Sequence, residues 1–134
     1  MIVFDASSIV GALLKPDSVP ERAFLHALDV DTLAMSAPVL AELSTVLVRP
    51  KFARFVSPTR LQRFLEILRH ESFHVTPREQ IVECRDPNDD KYLELVVASG
   101  ANIAVTSDLD LLTMDPWRGT RLVRPAAYLA MVAT

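Results

Sequence analysis

Apolar residues follow two patterns along this chain, one typical of strands and one typical of helices. Short apolar runs predict strands at residues 1–5, 32–36, 72–75, 102–106 and 121–123. Apolar positions three or four apart predict helices at 8–14, 19–28, 37–48, 57–70, 88–99 and 125–132, with shorter helical turns at 52–55, 78–83 and 109–112. Strands that alternate with helices favour parallel pairing. We therefore expect residues 1–134 to form one domain, a three-layer α/β/α fold with a central parallel sheet.

Turn residues mark helix boundaries, and the glycines exclude two nucleotide-binding motifs. Ser18 is a candidate cap ahead of Pro20, and Gly100 closes the helix predicted at 88–99. The three glycines of the chain are too widely spaced to form a phosphate-binding loop. We therefore expect neither a Rossmann fingerprint nor a P-loop.

The composition indicates a protein with a well-filled core and no membrane span. Half of the residues are hydrophobic, yet no apolar stretch approaches the roughly 18 residues of a membrane-spanning helix. The first strand begins at Met1 with no basic leader, so we expect a cytoplasmic protein. Cys84 has no partner for a disulfide and is expected to be a small buried residue. His26, His70 and His74 lack the spacing of a zinc site.

Positive charge is concentrated in one segment, although the formal net charge is −3. Between positions 49 and 69 the only acid is Glu66. The basic residues there are Arg49, Lys51, Arg54, Arg60, Arg63 and Arg69. The segment is either a solvated helical face or a surface that contacts nucleic-acid phosphates, and both interpretations remain open.

Carboxylates stand where a single crevice would form. Asp5, Asp108 and Asp110 come after predicted strands, whereas Glu42 and Asp89 lie near helix starts. In an open α/β sheet, ligands bind in the crevice beyond the carboxyl ends of the strands. Carboxylates gathered there repel one another unless a cation joins them. Oxygen ligands alone favour a hard cation, so we expect Mg²⁺ or Mn²⁺.

Each of these acids also has an ordinary alternative role. Asp5 is either a ligand or the cap of the helix that follows it. Glu42 lies about 100° from the centre of its helix's apolar stripe, from where it leans into the crevice or faces solvent. Asp108 and Asp110 either cap the turn at 109–112 or hold a metal directly or through water.

Two adjacent aspartates compete for one inward position. Asp89 precedes Leu93 by four residues, so it shares the buried face of the helix. Asp90 points about 100° away, and we expect it on the solvated side. Asp89 is therefore the preferred ligand, and Asp86, just before Pro87, is expected to stabilise a turn.

Four segments resemble motifs of the PIN domain family, in order and over nearly the whole chain. They are Ile-Val-Phe-Asp-Ala-Ser at 2–7, Pro-Val-Leu-Ala-Glu-Leu at 38–43, Asp-Pro-Asn-Asp-Asp-Lys-Tyr-Leu-Glu-Leu at 86–95 and Val-Thr-Ser-Asp-Leu-Asp-Leu-Leu at 105–112. The last two segments are most similar to the VapC-like branch of toxin–antitoxin PIN proteins.

The resemblance implies a Mg²⁺- or Mn²⁺-dependent ribonuclease with a parallel sheet between helices. It implies that Asp5, Glu42, Asp89 and Asp108 form an acidic catalytic quartet and that Asp110 is a fifth acid. Single-stranded RNA is the expected substrate, because its backbone bends into a crevice more easily than a duplex. A cognate antitoxin and a homodimer are the implied partners.

Three residues beside the acids are expected to support the site. Thr106 or Ser107 would add a hydroxyl to the ligand shell or to a bound phosphate, and Ser7 would act behind the ligands. Ser7 stands where the family often has Asn, and Ser107 where Gly is common. Arg49, Lys51, Arg54, Arg60 and Arg63 are the candidate RNA-binding residues.

Other classes fit the sequence less well. A receiver domain needs a lysine after a late strand, and no lysine follows Lys91. A HAD-type phosphohydrolase needs a second Asp two residues after the first, where Ser7 stands. The remaining alternatives are a catalytically silent PIN-fold module that pairs with an antitoxin and a DNA-directed, FEN-like nuclease. Apolar residues that would form either the core or a partner groove are Phe24, Leu25, Leu28, Phe52 and Phe55.

Overall fold

In the computed structural model, which describes residues 1–133, strands and helices alternate as the apolar pattern predicts. The strands are β1 (Ile2–Phe4), β2 (Ala34–Met35), β3 (Phe73–His74), β4 (Ile103–Val105) and β5 (Arg121–Val123). The helices are α1 (Ala6–Leu14), α2 (Val19–Val30), α3 (Ala37–Leu47), α4 (Pro50–Ala53), α5 (Pro58–His70), α6 (Asp90–Ser99), α7 (Leu109–Leu112) and α8 (Pro125–Val132). A single 3₁₀ turn, Pro87–Asp89, leads into α6.

All strand pairs are parallel, which confirms the predicted three-layer α/β/α fold. β1 pairs with β4 and β4 with β5, while β2 pairs with β3. Ile2 bridges Leu33 just before β2, so the strands follow the spatial order β3-β2-β1-β4-β5. Helices α1, α2 and α8 pack together, and α6 packs against β1 and β2.

The strand order reverses direction between β1 and β4. From β1 the chain runs outward to β2 and β3, then returns through α6 to β4 on the other side of β1. At such a switch point the two loops leaving the carboxyl ends separate and open a crevice. The topology therefore predicts a ligand site at the residues that directly follow β1 and β4.

Serine hydroxyls start three of the helices that surround the sheet. Ser18, Ser36 and Ser57 each accept a hydrogen bond from a backbone amide three residues later. This arrangement satisfies donors that the first helical turn leaves free. Gly100 ends α6 with a φ of 69°, a left-handed conformation that glycine adopts without strain.

The core is built mainly from the strands and the inward helix faces. Cys84 is buried, as predicted. Of the residues that the sequence left between core and groove, Phe24 and Phe52 are buried, whereas Leu25 and Phe55 are exposed. Within residues 1–133, every helix falls short of the length and apolar character that crossing a membrane requires.

The helical turn predicted at 78–83 is absent, and this prediction was wrong. The backbone there forms no helix, and two of its amides, those of Ile81 and Glu83, donate to side chains of α6 instead. The amides of Glu83 and Cys84 donate to the Asp90 carboxylate at 3.2 and 2.8 Å. The prediction that Asp90 faces solvent was therefore also wrong: Asp90 is 8% exposed, because this segment covers its side of α6.

Candidate metal centre

Asp5 lies at the switch point, immediately after β1, and is 4% exposed. It caps α1 by accepting the Ser8 amide at 3.0 Å, and it also accepts the hydroxyls of Ser7 at 2.8 Å and Thr106 at 2.6 Å. Burial raises the pKa of the Asp5 carboxyl, and these hydrogen bonds only partly oppose the rise. Asp5 is thus both the cap of α1 and an inward-facing carboxylate.

Thr106 links the acids that follow the two central strands. Its hydroxyl donates to Asp5 and accepts the Asp108 amide at 2.9 Å. Asp108 in turn caps α7 by accepting the Asp110 amide at 2.9 Å. The neighbouring Ser107 amide donates to the Ser7 hydroxyl at 3.4 Å. The hydroxyl-bearing residues singled out in the sequence therefore lie in one network with the acids.

Asp89 ends the 3₁₀ turn before α6 and points inward, with 8% of the residue exposed. Its Oδ2 atom is buried and has no hydrogen-bond partner among residues 1–133. Burial, the contact with Asp108 and the charges of Asp86 and Asp5 raise the pKa of Asp89 to about 8. These are the properties of a carboxylate that is surrounded by acids and lacks a positive partner.

Asp86, Asp89 and Asp110 form the tightest acidic group of the crevice. Each offers a carboxylate oxygen, and these oxygens lie within 4.8 Å of one another. Asp86 stabilises the turn, as expected, by accepting the Asn88 amide at 3.0 Å. Its place in the acidic group was missed, although the i, i+3 spacing to Asp89 across one helical turn was a usable signal.

Glu42 lies on the border of α3, as its helical position predicts, but both of its carboxylate oxygens already have donors. One accepts from the Lys91 ammonium and the other from the Tyr92 hydroxyl. The Tyr92 hydroxyl also accepts the amide of Ala6, the first residue of α1, at 3.1 Å. Tyr92 therefore ties Glu42 to the helix that Asp5 caps. Lys91 and Tyr92 were missed as site residues, although they adjoin the acids in sequence.

Arg85 is a further site residue that the sequence reading missed. Its Nε donates to the Asp110 carboxylate at 2.6 Å, and a terminal nitrogen lies 2.5 Å from the same oxygen. The arginine side chain is 69% exposed. Asp110 thus belongs both to the acidic group and to an ion pair at the mouth of the crevice.

The basic segment divides into one bound arginine and several exposed side chains. Arg60 donates to the carbonyls of Leu13 and Ala12 at 3.0 and 3.1 Å and forms an ion pair with Glu21. It therefore joins the end of α1 to α2 and α5. The remaining candidate RNA-binding residues are exposed: Arg49, Lys51, Arg54 and Arg63.

The donor set fits a divalent cation. Every candidate ligand atom is a carboxylate or hydroxyl oxygen, which suits Mg²⁺ or Mn²⁺ and not a thiolate-seeking metal. The buried Oδ2 of Asp89, which has no hydrogen-bond partner among residues 1–133, leaves an acceptor available on a carboxylate of the acidic group. A cation there would remove the repulsion that raises the pKa of Asp89.

The chain belongs to the PIN domain family, whose model matches residues 1–110. Membership in this family indicates a nuclease. An uncharacterized protein of Methanocaldococcus jannaschii, MJ1680, is 24% identical over 115 residues, which cover 84% of this chain and 74% of that protein.

Two solved structures share the fold. One is PAE2754 from Pyrobaculum aerophilum, with a TM-score of 0.64 and 17% identity over 99% of this chain and 90% of that one. The other is VapBC2 from Rickettsia felis, solved bound to a DNA fragment from its promoter, with a TM-score of 0.60 and 18% identity over 91% of this chain and 97% of that one. At these identities the likeness establishes the fold alone.

Proposed function

We propose that this chain is a Mg²⁺- or Mn²⁺-dependent endoribonuclease, formed as one domain over the whole sequence. The observation that carries the proposal is the buried, unpartnered oxygen of Asp89 inside a group of acids at the β1–β4 switch point. A purely structural cluster of carboxylates would be expected to pair each buried oxygen with a donor. Membership in the PIN family supports the nuclease assignment.

The contacts favour a division of labour among the acids. Asp86, Asp89 and Asp110 hold the cation directly, because each offers a carboxylate oxygen and these three oxygens lie within 4.8 Å of one another. Asp108 contacts the Asp89 carboxyl, and Asp5 approaches it closely enough to raise its pKa, so both complete the ligand shell. A bound divalent cation supplies the positive charge that activates the attacking water and stabilises the leaving oxygen.

The supporting residues orient these carboxylates. Thr106 and Ser7 donate to Asp5 and so hold its carboxylate in one orientation beside the crevice. The Ser107 amide donates to Ser7 and holds the loop after β4 against that serine. Glu42, which accepts hydrogen bonds from Lys91 and Tyr92, lines the crevice with negative charge and orients the attacking water.

Single-stranded RNA is the proposed substrate, and a toxin–antitoxin pair is the proposed setting. A flexible strand can bend into the crevice, whereas a duplex would have to open first. The exposed cations on α4 and α5 would hold flanking phosphates. The likeness to VapBC2 supports an antitoxin partner, and we extend the proposal to a homodimer in the cytoplasm.

The test is cleavage of labelled single-stranded RNA by the purified protein with Mg²⁺, Mn²⁺ or EDTA. Cleavage is expected with either metal and not with EDTA, and Asp5→Asn is expected to abolish it while keeping the cap acceptor and the fold. Cleavage that survives in EDTA or in Asp5→Asn would contradict the assignment. Metal-dependent cleavage of single-stranded DNA but not of RNA would move the proposal to the DNA-directed alternative.

A further inference from the structure

A crevice lined by acids has to bind a polyanion. The acids that gather there carry like charge, and an RNA phosphate approaching them is repelled unless cations lie at the rim. Among residues 1–133, two basic side chains form ion pairs with acids of the crevice: Lys91 with Glu42 and Arg85 with Asp110. In the same described residues, the exposed arginines that flank α4 and lie on α5 form no such pair.

Lys91 and Arg85 differ in exposure and in the number of N–H donors that remain free for a ligand. The Lys91 side chain is 19% exposed, is paired with Glu42 and lies 6.0 Å from the centre of the Tyr92 ring. Arg85 is 69% exposed and directs Nε and one terminal nitrogen at a single oxygen of Asp110. Because a guanidinium has five N–H donors, Arg85 keeps free donors that face solvent. Lys91 is therefore an internal counterion, and Arg85 is available to a ligand.

The backbone next to Arg85 is held firmly at the rim. The Cys84 amide donates to the buried Asp90 carboxylate at 2.8 Å, and the Cys84 thiol lies 3.6 Å from the Asp110 carbonyl. These contacts fix the residue before Arg85 against both α6 and α7. The arginine thus starts from a fixed point and has a long flexible side chain that can move between neighbouring anions.

We propose that Arg85 binds an RNA phosphate adjacent to the cleaved one, and that it transfers from Asp110 to the RNA when a divalent cation takes over Asp110. This inference rests on the proposed function. Without metal, the arginine neutralises an acid of the group; with metal bound at Asp86, Asp89 and Asp110, its guanidinium is released at the mouth of the crevice. Guanidinium matches phosphate in geometry and charge.

The exchange makes metal and RNA binding mutually favourable. A cation at Asp110 frees the arginine for RNA, and an RNA phosphate that attracts the arginine frees Asp110 for the cation. By thermodynamic linkage, each ligand must strengthen the other by the same factor. Removing the arginine removes a competitor for Asp110, so Mn²⁺ alone should bind Arg85→Ala at least as tightly as the parent protein.

The experiment compares Arg85→Ala with Arg121→Ala. Arg121 is a matched control, because it is also an exposed arginine paired with one aspartate, Asp115, but it begins β5 and so lies at the amino ends of the parallel strands, away from the carboxyl ends where the crevice forms. RNA binding is measured in the cleavage-deficient Asp5→Asn background by fluorescence anisotropy of a labelled single strand with Mn²⁺, across a salt series. Mn²⁺ affinity is measured by calorimetry without RNA. KM and kcat are measured in proteins that keep Asp5 and can therefore cleave.

Arg85→Ala is expected to weaken RNA binding about tenfold, the usual order for a charge-assisted hydrogen bond. The slope of log affinity against log salt should fall by about 0.7, as for one lost phosphate contact on a single strand. KM should rise with little change in kcat, Mn²⁺ affinity should not fall, and Arg121→Ala should resemble the parent. Arg85→Lys should restore part of the salt slope but little of the affinity.

Three outcomes separate failure of this inference from failure of the proposed function. If the parent binds and cleaves RNA with metal but Arg85→Ala leaves affinity, salt slope and KM unchanged, the role of Arg85 is wrong and the nuclease assignment stands. A fall in Mn²⁺ affinity in Arg85→Ala would also overturn the exchange. If the parent neither binds nor cleaves RNA, the proposed function fails and this inference fails with it.

Discussion

Single residues in this crevice combine local and long-range roles. Asp5 is a helix cap and an inward carboxylate at once, and Asp86 both closes a turn and joins the acidic group. The sequence offered cap and ligand as alternatives for Asp5 and only the turn for Asp86, because spacing alone cannot tell which atoms of a carboxylate are in use. A carboxylate has two oxygens, so one can serve the backbone while the other stays available.

Asp89 predicts how the stability of the metal-free protein depends on pH. Its pKa is raised to about 8, so the folded state holds a proton that the unfolded state loses near pH 4. Its contribution to stability is therefore present at acid pH and is lost as the pH rises toward 8. In EDTA, the parent should lose more free energy of unfolding between pH 5 and 8 than Asp89→Asn does, measured by urea unfolding.

The control for this prediction is Asp29→Asn, which changes an exposed aspartate of α2. It should keep the pH dependence of the parent. If the parent loses no more free energy of unfolding between pH 5 and 8 than Asp89→Asn does, the neighbouring acids do not raise the pKa of Asp89.

Tyr92 predicts the cost of losing one buried hydroxyl. In Tyr92→Phe, the Ala6 amide loses its acceptor and Glu42 loses a donor. A buried donor left unsatisfied costs about 1–3 kcal/mol of unfolding free energy. The matched control is Tyr128→Phe, another buried tyrosine, whose hydroxyl forms no hydrogen bond with residues 1–133. Chemical denaturation should find Tyr92→Phe the less stable variant, and equal stability would contradict the bridging role.

At the scale of elements, the sequence predicts helices better than the segments between them. The helix at 57–70 is amphipathic and begins with Ser57 and Pro58, so its period and its start agree. The stretch at 78–83 has no regular structure, and two of its backbone amides, those of Ile81 and Glu83, donate to side chains of α6. Those acceptors lie on an element that follows later in the chain, so no local pattern at 78–83 reports them. The same cause hid the burial of Asp90.

The contacts of Arg60 indicate that the packing of three helices depends on one side chain. Its contacts join α1, α2 and α5, so Arg60→Ala should lower the unfolding free energy by about 2 kcal/mol. Burial alone would raise the pKa of Glu21, but the Arg60 hydrogen bond and charge and the Asp17 amide bring it below its usual value. The difference between parent and variant should therefore shrink as the pH falls from the ordinary range of glutamate through the lowered pKa of Glu21, because the carboxylate then takes up a proton.

The comparison for Arg60→Ala is Arg63→Ala, which removes an exposed arginine of the same helix. Arg63→Ala should leave thermal stability unchanged, so any loss of RNA binding in it reports on the surface itself. A loss of RNA binding in Arg60→Ala alone, together with lower stability, would reflect the helix junction and not a phosphate contact.

At the scale of the whole molecule, the site depends on a sheet order that no single segment encodes. The sequence indicates which residues follow strands, and the acids could be assigned to one edge on that basis. That β1 and β4 are neighbours follows only from pairing between residues about a hundred positions apart, such as Val3 with Ala104. The grouping of Asp86 with Asp110, and the pairing of Glu42 with Lys91, are consequences of that packing.

This packing predicts which acids couple the fold to a divalent cation. A cation that binds only the folded state stabilises it by about 2.7 kcal/mol at a hundred times its dissociation constant. Mn²⁺ should therefore raise the melting temperature of the parent, and Asp86→Asn, Asp89→Asn and Asp110→Asn should each lose most of that rise. Glu42→Gln should keep most of it, because Lys91 and Tyr92 already occupy both carboxylate oxygens.

The family resemblance alone makes the opposite prediction for two of these variants, since it includes Glu42 in the acidic quartet and leaves out Asp86. Thermal unfolding of Glu42→Gln and Asp86→Asn with and without Mn²⁺ therefore decides between the quartet and the group defined by the packing. Loss of the metal-dependent rise in Glu42→Gln, with Asp86→Asn unaffected, would mean that Glu42 leaves Lys91 on metal binding and joins the ligands. The reverse result would assign the cation to Asp86, Asp89 and Asp110, and would leave Glu42 as the residue that holds Lys91 in place.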